Sequence, residues 1–112
     1  MATTITDEQL RQVMRTIQPY TVVLMRWGPE RHRYGDKAIR WEHTRRMVSL
    51  RADGLMPIVC PVVDETLVGV AIFNLPPEQA SEVMEGDPMV QAGAFVYEVH
   101  QCRSFPGDAL PA

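Results

Sequence analysis

The chain has 112 residues, of which 46% are hydrophobic and 22% charged, the profile of an ordinary globular protein. That length makes one domain, 1–112, with enough chain to hide a single core. Eleven Lys and Arg against 14 Asp and Glu leave a net charge of −3, which excludes a nucleic-acid coat relying on neutralised phosphates.

Thr6-Asp7-Glu8-Gln9 has the form of a capping box, with Thr6 as N-cap and Gln9 reaching back. Leu10, Val13, Met14 and Ile17 follow at helical spacing. They predict an N-terminal helix within 6–18 that docks its apolar stripe on its own chain or on a partner. Pro19 stops it, and 20–27 reads as a strand ended by Gly28-Pro29. After a charged loop over 30–35, Asp36 caps a second helix to about residue 53, with Gly54 as terminator.

Residues 56–63 and 67–75 are β-branched and apolar, and Asp64-Glu65-Thr66 between them signals a hairpin. Pro57 and Pro61 place the first of these strands at an edge or give it a bulge. Pro77 opens a third helix with Ala80, Val83 and Met84 inward, ended by Gly86. Asp87-Pro88 caps one more turn up to Gly93, 94–103 is the last strand, and 104–112 is a tail.

Without the first helix the order is β-α-β-β-α-β. It predicts an α+β, ferredoxin-like antiparallel sheet with both crossover helices on one face. Along 20–27 one side carries Tyr20, Val22 and Leu24, the other Val23, Met25 and Trp27. The strand over 67–75 is also apolar on both sides, whereas a face open to water alternates with polar residues. The first helix is short for a lid, so a second copy of the chain in a two-fold homodimer is the expected cover.

Cys60 and Cys102 are the only cysteines and form no CxxC or Cys/His cluster, so they read as reduced thiols. The first residues lack the basic and apolar regions of a signal peptide. The longest apolar run, 67–73, is far short of the ~20 residues that cross a bilayer. The expectation is a cytoplasmic protein with no membrane partner and no nucleic-acid partner.

His43 is the first candidate for chemistry, because Ile39, His43, Met47 and Leu50 share one stripe of the second helix. It is either a core histidine satisfied by a carbonyl or a general acid or base. Asp87 is explained as an N-cap before Pro88, although one carboxylate oxygen can cap while the other serves a pocket. Glu98 and His100 fall on the interface side of the last strand, and His32 in the charged loop reads as solvated surface. Three scattered histidines without HxH or HExxH spacing make no metal site. No Gly-rich phosphate loop, Ser elbow or Cys–His nucleophile pattern is present.

Asp87-Pro88-Met89-Val90-Gln91-Ala92-Gly93, followed by Phe95-Val96-Tyr97-Glu98-Val99-His100, resembles the C-terminal signature of the YciI-like (YCII-related) proteins. These belong to the dimeric α/β-barrel superfamily. Gly28-Pro29 after the first strand and His43 in the middle of the helix also fall where that family has them. The resemblance covers 20–103; the first helix and the tail lie outside it.

The resemblance implies a ferredoxin-like fold paired into a dimeric barrel, with a cleft between sheet and helices. It also implies a His–Asp pair doing acid–base chemistry like that of muconolactone isomerases. The reactions would be isomerisations or eliminations, dehydrohalogenation among them, on small cyclic or ring-derived compounds without a cofactor. Mapped onto this sequence the pair is His43, moving the proton, and Asp87, orienting it. Trp27, Phe73, Phe95 and Tyr97 would wall the substrate pocket, although such residues are more often plain core. One departure is Cys60 before Pro61, where the family commonly has Gly, which adds bulk at the expected pocket wall. The rival reading is a non-catalytic module of the same fold that binds a small ligand or a protein.

Overall fold

The computed structural model describes residues 2–112. Helix α1 spans Asp7–Met14, strand β1 Gln18–Trp27, a 3-10 turn Arg31–Gly35, and helix α2 Lys37–Ala52. Strands β2 (Ile58–Pro61) and β3 (Leu67–Phe73) form the hairpin, followed by α3 (Pro77–Glu85), α4 (Pro88–Gln91) and β4 (Phe95–Ser104). The four strands make one antiparallel sheet in the order β2-β3-β1-β4, the ferredoxin-like arrangement. Pro57 and Pro61 flank or end the short edge strand β2, where a missing N–H costs no internal ladder bond.

Each α2–α4 terminus follows local chemistry. Asp36 accepts from the Ala38 and Ile39 amides at the start of α2, and Gly54 takes the left-handed φ of 76° after its end. Pro77 sits in the first turn of α3, where its absent N–H would be unpaired in any case. Helices α2 and α3 cover one face of the sheet. Met47 from α2 and Ala80 and Met84 from α3 pack on Val23, Met25, Ala71 and Phe73. Thr21 is the one polar member of this β1 row; it is fully buried and its Oγ1 donates to the Leu75 carbonyl at 2.7 Å.

The opposite face carries Val22 and Leu24 of β1 beside Val70 and Ile72 of β3, all only partly covered. Toward the β4 edge it turns polar. Arg26 Nε donates to Glu98 at 2.6 Å, and Glu98 also pairs with His100 at 3.1 Å. The Arg26 guanidinium, with His100 as the lesser cause, holds the Glu98 carboxyl below the usual range.

Two features differ from the sequence expectation. Helix α1 ends at Met14, because Gln18 precedes a proline and is drawn into extended conformation, opening β1 early. The capping box forms as expected, but α1 has no buried residue, and Leu10, Val13 and Met14 stay about half exposed. The expected docking on its own chain does not occur. Second, Val68 is an extra residue in β3, between Gly69 opposite Met25 and Leu67 opposite Arg26. This bulge reverses its side. By alternation Val68 would share the open face with Val70; instead it packs against the core under the helices.

Candidate active site

Two backbone turns meet at the end of β1 and assemble the site. The Gly28 amide donates to the Ala94 carbonyl at 2.7 Å, and the Glu30 amide to the Gly93 carbonyl at 3.0 Å. A Cβ on residue 28 would run into the Gly93 carbonyl oxygen, and Gly93 itself has φ of +77°. Glycine is required at both positions. Their contact sets the α3–β4 connection against the start of α2, and so sets Asp87 against His43.

His43 Nδ1 lies 2.8 Å from both carboxylate oxygens of Asp87. A carboxylate only accepts, so the neutral imidazole keeps its hydrogen on Nδ1 and its lone pair on Nε2. Asp87 is fully buried, while the His43 side chain keeps 15% of its surface exposed. The same carboxylate caps α4, with Oδ2 accepting from Met89 N at 3.0 Å and Val90 N at 3.4 Å. Capping and pairing are therefore combined in one group. Phe95 meets the imidazole edge-on at 5.2 Å between ring centres and fixes its plane.

The exposed side of His43 opens into a cavity of about 190 Å³ between α2 and the sheet. Met25, Met47 and Phe95 give it apolar walls, and Tyr34, Arg40 and Thr44 stand with His43 as its polar groups. A dry cavity of roughly 150 Å³ holds a benzene ring, so this one has room for a small substituted ring. Among the described residues His43 Nε2 has no hydrogen-bond partner. The arrangement is able to take or give one proton at the ring edge of a bound molecule, with the developing imidazolium facing a buried carboxylate.

The four expected aromatic walls separate. Phe95 lines the cavity. Trp27 sits behind it, edge-on to Phe95 and Tyr34 at 5.5 and 5.2 Å. Phe73 is fully buried four residues along β3 from Gly69, about 13 Å away at strand rise, and belongs to the core. Tyr97 points to α3, where its hydroxyl donates to Glu85 Oε1 at 2.7 Å. Trp27, Phe73 and Tyr97 are thus corrected from wall to support. Cys60 does border the cavity, but it pairs with Val70, and that register turns its thiol to the open face. Its bulk does not narrow the site as expected.

Two arginines and a tyrosine escaped the sequence reading. Arg46 lies one helical turn beyond His43; its Nη1 is 3.8 Å from Asp87 Oδ1 and its Nη2 donates to the Val83 carbonyl. A spacing of three on a helix carrying a candidate base was the available signal. Arg40 and Tyr34 reach the cavity from the start of α2 and from the 3-10 turn. Arg40, three residues before His43 on the same helix, carried the same signal as Arg46, whereas nothing in the charged loop distinguishes Tyr34 beforehand.

No protein-family model and no curated protein matches the sequence. The fold has a solved counterpart. It resembles 5-chloro-2-hydroxyhydroquinone dehydrochlorinase (TftG) from Burkholderia phenoliruptrix AC1100, solved in complex with 2,5-dihydroxybenzoquinone. The identity is 15% and the TM-score 0.56, over 72% of this chain and 90% of that one. Likeness at this identity carries the ferredoxin-like architecture. Among the described residues no helix is long and apolar enough to cross a membrane.

Proposed function

We propose that this protein is a cofactor-independent acid–base enzyme of the YciI-like family, an isomerase or a lyase of dehydrohalogenase type. It acts on a small cyclic or ring-derived compound through His43 and Asp87. The observation that carries this reading is the 2.8 Å pair, with the unpartnered Nε2 edge of the imidazole beside a ring-sized cavity. The fold shared with TftG supports the same class of substrate.

His43 Nε2 takes a proton from a ring hydroxyl or from carbon beside a carbonyl. The released electron pair forms the new double bond and the proton returns at another carbon; where that carbon bears a halogen and so becomes saturated, removal of a second proton expels the halide and completes the loss of hydrogen halide. Asp87 holds the imidazole in the Nδ1–H form and faces its charge when protonated. Positioned proton transfer of this kind supplies about 10²- to 10⁴-fold. We also assign the open sheet face to a second copy of the chain, because Val22, Leu24, Val70 and Ile72 form an apolar surface with only one side covered. The two free thiols, Cys60 and Cys102, fit a reducing cytoplasmic setting.

The test is chloride release from 5-chloro-2-hydroxyhydroquinone and isomerisation across a panel of hydroxylated rings and ring-derived lactones. Turnover by the wild type, slowed at least a hundredfold in a folded His43→Gln variant, is the expected result. Equal turnover in the two proteins removes His43 from the chemistry, and binding without turnover across the panel gives the assignment to a ligand-binding module instead.

A further inference from the structure

We infer that the His43 cavity selects a ring bearing an acidic oxygen, carboxylate or ionised hydroxyl, and that Arg40 is the residue that binds it. This inference rests on the cavity being a ligand site, as proposed above, but not on catalysis there. Arg40 lines the cavity together with His43, Thr44 and Phe95, and no Asp or Glu is among the lining residues. Its guanidinium forms no ion pair among the described residues. It is held instead by groups that leave its charge uncancelled: Nη1 donates to the Tyr34 carbonyl at 3.0 Å, and the guanidinium lies 5.1 Å from the centre of the Tyr34 ring.

The nearby acids on the same stretch of chain are committed elsewhere. Asp36 caps α2, Glu42 pairs with Arg45, and Glu30 with His32. Lys37 adds a second positive charge in the depression that adjoins the cavity beside Tyr34 and Arg40. A chain with net charge −3 therefore presents an uncompensated cationic mouth above an apolar pocket. Inside such walls the guanidinium fork pairs best with a planar anion, which it can meet with two parallel N–H donors. The ring would lie against Met25, Met47 and Phe95, its acidic oxygen at Arg40 and its reacting edge at His43.

Binding is read by NMR titration with three probes: benzoate, 2,5-dihydroxybenzoquinone ionised at neutral pH, and neutral benzyl alcohol. The two anions represent the two sources of the acidic oxygen, and the tighter of them identifies which one the site takes. At least one anion should bind more tightly than benzyl alcohol by about ten- to a hundredfold, the worth of a charged hydrogen bond. Arg40→Gln should erase that preference, Arg40→Lys should keep part of it, and both should change benzyl alcohol binding far less than anion binding. Equal affinity for charged and neutral rings, anion affinity unchanged in Arg40→Gln, or no binding of either anion overturns the inference. Failure of the enzymatic reading looks different: Arg40-dependent anion binding persists while turnover is absent or indifferent to His43→Gln.

Discussion

Asp87→Asn separates the two tasks that the Asp87 carboxylate performs. The amide oxygen of Asn still accepts from the Met89 and Val90 amides, so α4 keeps its cap. The retained oxygen still lies 2.8 Å from His43 Nδ1, but the amide nitrogen now stands equally close as a second donor. That clash of donors is relieved when the imidazole moves its hydrogen to Nε2 and accepts from the amide. The lone pair leaves the cavity edge, and the base disappears while the ring stays in place. The stability cost is the difference between a charged and a neutral hydrogen bond, about 1 kcal/mol, plus weaker attraction for Arg46 Nη1 at 3.8 Å. For a chain of this size that lowers the melting temperature by roughly 4–8 °C. Nitrogen-detected NMR of the imidazole reads the tautomer without any substrate: Nδ1–H in the wild type, Nε2–H in the variant. Turnover, where a substrate is in hand, should fall by about 10²-fold or more. An unchanged tautomer, or unchanged turnover with the tautomer switched, refutes this account of the pair.

Thr21→Val keeps the shape of a fully buried side chain but leaves the Leu75 carbonyl without its 2.7 Å donor, so urea unfolding should show a loss of about 1–2 kcal/mol. A stability equal to the wild type would place water at that carbonyl. Burial, and next the Glu85 carboxylate bonded to it, raise the Tyr97 phenol above its ordinary value near 10. The stability this contributes is complete below the unfolded value and is lost as pH rises through the higher folded one. Tyr97→Phe should therefore flatten the decline of the urea midpoint above pH 10, and parallel profiles for the two proteins would discount the Tyr97 contact. Leu24→Lys puts a charge in the middle of the open sheet face. Sedimentation should then give the 12.7 kDa single chain where the wild type gives twice that mass, and a wild-type monomer would remove the second copy from the open face.

The fold was legible because its signals are local and independent. Asp36 before α2, Pro77 within α3 and Asp87-Pro88 before α4 each mark a terminus by the bonds that a helix end leaves unmade. Alternation along 20–27 places Val23 and Met25 under the helices and Val22 and Leu24 on the other face, as the register has them. What alternation misses is a change of phase. The extra residue in β3 moves Val68 to the helix side, and Gly69 beside it, a residue that often marks a bulge, is the only local sign. The length of α1 was misread for a related reason: the apolar spacing continues to Ile17, but the restriction that Pro19 imposes on its neighbour acts first.

The site was legible only along its helix. A stripe of Ile39, His43 and Met47 says which way the imidazole points, and an N-cap aspartate says where a carboxylate is fixed. That these two fixed groups lie 2.8 Å apart depends on Gly28 and Gly93 packing backbone to backbone, a contact between residues 65 positions apart in the chain. The aromatic residues could not be sorted in the same way. Phe95 and Tyr97 share one face of β4, yet one meets His43 and the other reaches Glu85 on α3. Which of them walls the cavity is decided by the helix above each, about 7 Å apart along the strand. Arg46 makes the dependence plainest. Its position on α2 follows from His43 by one turn, but its relation to Asp87 exists only because the last turn of α3, with Val83, and the cap of α4, Asp87, are brought to the same spot. The orientation of each group is a property of one helix or one cap; their pairing, and the electrostatics around the pair, are properties of the assembled fold.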